Sequence, residues 1–201
     1  MNLHDNTQNL LAEIRGCAVC AEHLPLGPRP VVSFSPEARV LIVGQAPGTR
    51  VHETGIPWND PSGDRLREWF GVTREQFYDP KRFAIAPMGF CYPGRGKSGD
   101  NPPRPECAPL WMPRILESLP NLKLKFLIGQ YSQAYFLEEK RKATLTETVR
   151  AWREYLPGQI VLPHPSPRNN IWLKRNDWFE REVIPEIRKL VRALCLPGKP
   201  V

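Results

Sequence analysis

The sequence lacks any run of about 18 or more apolar residues, so no transmembrane helix is expected. Residues 1–15 carry Asp5, Glu13 and Arg15 and lack the basic-then-apolar order of a secretory leader. The expected location is therefore the cytoplasm, where structural disulfides are rare. There is no internal repeat and no low-complexity stretch, which excludes solenoid arrays and long disordered tails. Cysteine is sparse, with 5 residues, so a disulfide scaffold is not expected.

Proline, by contrast, is abundant. The chain has 23 of them, well above the usual ~5%, and they cluster over 87–113. Long, stiff loops are implied, and loops held by a rigid scaffold tend to carry function. The formal charge is +7. That balance suits a polyanionic partner such as nucleic acid or a membrane surface, and equally a basic soluble protein with neither. With 201 residues and 41% apolar content, a single domain over 1–201 with one sizeable core is expected.

Short β-branched runs alternate with helical patterns. Residues 7–15, 62–70, 108–119, 132–142 and 177–193 read as helices, the last with Val183, Ile184, Ile187, Leu190 and Val191 at helical spacing. Strands are expected over 39–43, 83–86, 125–128 and 159–162. The alternation implies an α/β fold, a three-layer α/β/α sandwich around a mostly parallel four-stranded sheet. Ligands of such sheets bind outside the carboxyl ends of the strands. Three strand ends carry unusual loops, 44–64, 87–105 and 163–170, and these are expected to converge on one mouth.

Cys17-Ala-Val-Cys20 is a Cys-x-x-Cys pair, and Cys91 and Cys107 flank the proline-rich loop. One such pair plus two later cysteines in a cytosolic chain points to four thiolates on one metal or cluster, with zinc and iron–sulfur both open. Buried structural cysteines are the plain alternative. Cys195 has no partner left.

Gly44-Gln-Ala-Pro-Gly48 closes the first strand. Thr54-Gly-Ile-Pro-Trp-Asn-Asp-Pro-Ser-Gly-Asp64 follows, placing Trp58 and Asp60 before a helix. His164-Pro-Ser-Pro-Arg-Asn169 ends the last strand. Each motif is moderately specific, but in this order, together with the cysteine pairs, they resemble the uracil-DNA glycosylase superfamily over about residues 10–190. The cysteine spacing looks like the branches holding a [4Fe–4S] cluster, and the resemblance implies that cofactor over zinc. The first loop is most similar to the broad-specificity b-type branch. There the matching carboxylate, here Asp60, has the water-activating role. Two departures stand out. Ala46 occupies the place of the catalytic Asp of the classical enzymes, and Ala86-Pro-Met-Gly-Phe90 lacks the base-reading Asn of several branches.

The resemblance implies a monomeric, monofunctional glycosylase that flips a deaminated base out of DNA and hydrolyses its glycosidic bond. Gly44, Gln45, Ala46, Pro47 and Gly48 would border the base, and Trp58 would stack on it. Asp60 would stabilise the sugar cation and orient water, its alternative role being a helix cap. Asp64 is the rival carboxylate. His164 would donate to the base carbonyl. Ser166 and Asn169 would pinch a phosphate, and Ile171, Trp172 and Leu173 would wedge into the stack or belong to the core. Arg50, Arg95, Lys97, Arg104, Arg168, Lys174 and Arg175 are candidate phosphate contacts. No lysine is placed as a Schiff-base nucleophile. Ala46 and the missing Asn leave a second reading open, a non-catalytic DNA or damaged-base binding protein on the same fold.

Overall fold

A computed structural model describes residues 2–97 and 99–196. Of the expected loops, only Ser98 falls outside the described residues. Four strands form one sheet: β1 (Val40–Val43), β2 (Phe83–Ile85), β5 (Leu124–Ile128) and β6 (Gln159–Leu162). Their order is β2-β1-β5-β6, and every pairing is parallel, with Ile42 opposite both Ile85 and Phe126. Val-Leu-Ile-Val in β1 and Phe-Ala-Ile in β2 are buried throughout. Continuous apolar runs of this kind are what a sheet covered on both faces requires. Lys125 interrupts β5, but its ammonium lies 5.9 Å from the centre of the Phe136 ring, and desolvation lowers its pKa.

Helices cover the sheet. They are α1 (Leu3–Arg15), α2 (Thr49–Thr54), α3 (Pro61–Phe70), α4 (Arg74–Tyr78), α5 (Cys107–Glu117), α6 (Gln130–Leu137), α7 (Leu145–Arg150), α8 (Asn170–Arg175) and α9 (Ile184–Cys195). Helix α3 has a carboxylate cap at Asp60, Pro61 in its first turn, and Gly71 at φ 66° closing it. Each residue suits its position by known capping preferences. Helix α3 packs on the α9 region, where the Trp69 and Phe179 rings meet edge to face, 5.0 Å apart. None of the helices among the described residues is long and apolar enough to cross a membrane.

Helix α1 starts earlier than expected, at Leu3, the short helices α2, α4, α7 and α8 were not expected, and two further helices depart from expectation. The one expected over 132–142 begins at Gln130 and ends at Leu137, because Glu138 adopts φ 49°, which an α-helix cannot continue. The one expected over 177–193 opens with a wide π turn, Phe179–Val183, before α9 begins at Ile184. Pro185 has no N–H to complete the ordinary ladder there. The hairpin of β3 (Arg95–Gly96) and β4 (Gly99–Asp100) was not expected; it forms inside the second loop.

Candidate active site

The chain enters the sheet at β1, places β2 on one side, then crosses to β5 and β6 on the other. The crevice of a parallel sheet opens where the order reverses in this way. A cavity of about 420 Å³ lies there, within the ~300–1,000 Å³ range of small-ligand pockets. Gly44, Gln45, Ala46, Pro47 and Gly48 line it from the end of β1, and Ile85 and Pro87 from β2. Trp58, Asp60 and Ser62 come from the entry to α3, and His164, Ser166, Arg168 and Asn169 from the end of β6. The ten residues expected to act in the chemistry, border the base or pinch a phosphate therefore share one cavity, whereas of the seven candidate basic contacts only Arg168 lines it.

Trp58 is held unusually tightly. Its backbone sits at φ 55°, a conformation that costs a bulky residue energy. Its carbonyl accepts from Arg67 Nη1 at 3.2 Å and from the Tyr78 hydroxyl at 3.3 Å. Two neighbours must be glycine for it to fit. A Cβ on Gly44 would stand 2.8 Å from the indole, and one on Gly63 would collide with the Trp58 carbonyl. Buried Arg67 also pairs with Asp64 at 2.5 Å. Asp64 is thereby occupied on a largely exposed face and does not line the cavity.

Asp60 has both of its expected placements. One carboxylate oxygen accepts from Gly63 N–H at 2.8 Å, capping α3, and the residue also borders the cavity. Its negative charge reaches His164 and partly offsets the burial that lowers the imidazole pKa. His164 Nδ1 accepts the Ser166 backbone N–H at 3.2 Å. A neutral imidazole that accepts at Nδ1 carries its proton on Nε2 and can donate there. The loop is braced from two sides. Asn169 Nδ2 donates to the His164 carbonyl at 2.7 Å, and Arg65 Nη1 donates to the carbonyls of Pro165 and Ser166.

Asn169 thus uses its amide N–H on the loop itself, and Ser166 Oγ accepts from Arg168 N–H at 3.3 Å. Of the expected wedge, only Ile171 projects, with 65% exposure. Leu173 is buried, and Trp172 donates to Thr146 Oγ1 at 2.8 Å while packing on Trp178 and Phe179. Arg104 pairs with Glu106 away from the cavity. Asp100 lines the cavity and was not anticipated. It lies at the end of the Gly-Arg-Gly-Lys-Ser-Gly run that supplies the candidate phosphate contacts Arg95 and Lys97, and the glycine-flanked turn of that run is also a hairpin signal.

A second, smaller recess is lined by Cys17, Cys20, Cys91 and Cys107, with Gly89, Phe90, Arg104 and Trp111. All are free thiols. Burial pushes Cys91 up to about 11 and Cys107 up to about 12. The Phe90 N–H donates to Cys107 Sγ at 3.3 Å. Among the described residues no three His, Cys, Asp or Glu side chains are grouped to hold a single metal ion.

The sequence profile of the uracil DNA glycosylase superfamily matches residues 32–188. The chain belongs to that superfamily. It is similar to the type-4 uracil-DNA glycosylase of Thermotoga maritima, with 24% identity over 181 residues and 88% of each chain covered. A solution NMR structure of a candidate uracil DNA glycosylase from Methanosarcina acetivorans aligns with 79% of this chain and 94% of its own. Its TM-score is 0.47 at 17% identity. The matched span contains β1, β2 and β6, whose ends border the cavity.

Proposed function

We propose that this protein is a monofunctional DNA glycosylase that hydrolyses the N-glycosidic bond of uracil or another deaminated base. It would act as a single-domain monomer in the cytoplasm. The observation that carries this reading is the pairing of a His164 Nε2 donor with the Asp60 carboxylate in one cavity.

Bond cleavage leaves positive charge on the sugar and negative charge on the departing base. Asp60 stabilises the sugar cation and orients the attacking water, its second oxygen remaining for this while the first caps α3. His164 donates from Nε2 to the base carbonyl as charge builds, a contribution of ~3 kcal/mol for such donors. The imidazole stays neutral because burial disfavours its charged form. Trp58 is the stacking platform, and the GQAPG backbone closes the rim. Arg168 at the cavity, with Ser166 and Asn169 beside it, faces the strand backbone.

The four cysteines fit an iron–sulfur cluster. They are soft donors around one recess, and a backbone N–H meets one sulfur. Such a donor set suits zinc and iron–sulfur alike, and the resemblance to the cluster-holding branches is what favours iron–sulfur. Such a cluster would supply a structural tie between the N-terminal segment and the 91–107 loop. Visible absorbance and iron content of anaerobically purified protein test this, and colourless, zinc-loaded protein would refute it.

One observation favours a non-catalytic, base-binding protein instead: Ala46 supplies no carboxylate, and Asp60 is partly committed to its cap. Single- and double-stranded oligonucleotides bearing uracil, hypoxanthine or xanthine separate the two. Release of free base with an intact abasic strand is the expected result. Tight, lesion-dependent binding without release would establish the alternative.

A further inference from the structure

The polar groups of the cavity are unevenly supplied. Near the end of β2 the lining is Ile85 and Pro87, and the stretch 86–90 lacks the base-reading amide of several branches of the superfamily. An exposed carboxylate, Asp100, also borders the cavity. Asp100 pairs with Arg95 in the β3–β4 hairpin. This hairpin leans on the first loop: Gln45 Nε2 donates to the Asn101 carbonyl at 3.0 Å, and Asp100 Oδ2 lies 3.5 Å from where a Cβ on Gly48 would be. The charged groups facing Asp100 are Arg168 and Arg95, which favour its ionised form, and Asp60, which opposes it. Desolvation by the surrounding loops raises its pKa from the ordinary value, and the two guanidinium groups oppose that rise.

A carboxylate at the mouth of a pocket that admits a polyanion weakens binding unless it meets a hydrogen-bond donor. An ionised carboxylate can only accept. The donor that distinguishes a deaminated base is its ring N–H. Cytosine and adenine present a bare ring nitrogen on the pairing edge. Deamination converts that amidine into a lactam, whose ring nitrogen carries hydrogen. We propose that Asp100 is the base-reading residue. Its carboxylate accepts the lactam N–H of a deaminated base and repels the bare ring nitrogen of cytosine or adenine, from the edge of the cavity. One acceptor of this kind serves uracil and hypoxanthine alike, so the pocket selects a class of bases rather than a single one. This inference rests on the glycosylase reading given above.

The test is a chemical cycle on single-turnover excision. The substrates are oligonucleotides carrying uracil or N3-methyluracil, and the proteins are wild type, Asp100→Ala and Asp100→Asn. In wild type, methylation of N3 lowers kcat/KM by about 10–100-fold, the value of a hydrogen bond to a charged partner. In Asp100→Ala, uracil excision falls by a similar factor, and the methyl group has little further effect. Asp100→Asn, which can both accept and donate, retains uracil excision within a few fold and gains affinity for cytosine opposite guanine. That affinity is read on strands with a 2′-fluoro sugar that resists cleavage. An equal methyl penalty in wild type and Asp100→Ala, with uracil excision preserved, overturns the assignment of Asp100 and leaves the glycosylase reading intact. Wild type that releases no base from any of these strands overturns both.

Discussion

The indole of Trp58 lies beside the imidazole of His164, with ring centroids 5.6 Å apart and planes inclined by 32°. One residue comes from the approach to α3 and the other from the end of β6, so the contact closes the cavity across the sheet. Gly44 sets its distance, because a Cβ there would press on the indole at 2.8 Å. Gly44→Ala should therefore shift Trp58 and, through it, His164. We expect excision to drop by about 100-fold, as misplacement of positioning groups by about 1 Å does. Overpacking should cost about 1–3 kcal/mol of stability. Single-turnover rates compared with melting temperatures check this. A rate unchanged within twofold would mean that the Trp58–His164 contact does not control the chemistry.

Asp60 combines a cap and a proposed catalytic carboxylate, and two substitutions separate them. Asn is as good an N-cap as Asp, so Asp60→Asn should melt within a few degrees of wild type. Asp60→Ala should lose about 1 kcal/mol, or about 2–4 °C in a chain of this size. Both remove the charge that stabilises the sugar cation, and both should lower excision by about 10²–10⁴-fold. If activity follows stability instead, with Asn active and Ala impaired, Asp60 is only a cap.

The sheet was readable because its strands are short, continuously apolar and ended by Gly, Pro or His motifs. Val40–Val43 and Gln159–Leu162 fall almost where the pattern put them. The convergence of the Gly44–Gly48, Trp58–Asp60 and His164–Asn169 segments followed from the parallel order alone. Other features depend on tertiary packing and left no local signal. Trp172 and Leu173 look like a possible wedge, but Trp172 is held by Trp178, Phe179 and Thr146 and Leu173 is buried. The Arg67–Asp64 pair removes a rival carboxylate through an i,i+3 contact that the sequence permits without requiring. Asp100 sits in a glycine-rich run whose composition suits an open loop as well as a hairpin.

Burial lowers the His164 pKa below its ordinary 6.5, against the partial opposition of Asp60. The linkage has a definite sign. Above pH 6.5 the folded and unfolded states are both neutral at this position, and the group does not affect stability. As pH falls through about 6.5, the unfolded chain takes up a proton that the folded protein resists, so stability is lost until the lower, folded-state pKa is reached. His164→Gln should flatten this part of the profile. The difference in melting temperature between wild type and variant should change between about pH 7.5 and pH 5 and stay level above that window. The same variant, lacking the Nε2 donor, should excise about 100-fold more slowly at neutral pH. Parallel melting curves across the window would contradict the buried, neutral state of the imidazole.

Arg65 reaches from α3 to the loop that carries His164. It donates from Nη1 to the Pro165 and Ser166 carbonyls at 3.3 and 3.2 Å, and from Nη2 to Asn170 Oδ1 at 2.8 Å. The Asp60 end of α3 is thereby fastened to the His164 loop, and the two halves of the proposed chemistry keep their spacing. Lysine cannot reproduce that fork, since it offers one point charge in place of a planar guanidinium. Arg65→Lys and Arg65→Met should both loosen the loop. Because Arg65 is not among the residues lining the cavity, the loss should fall on kcat, by about 10-fold or more, with KM for a uracil strand much less affected. Amide exchange at Ser166 and Asn169 should quicken in both variants, as their braced hydrogen bonds open more often. If Arg65→Lys matches wild type in kcat and exchange, or if KM rises while kcat holds, Arg65 acts through its charge on the DNA strand and not through the loop.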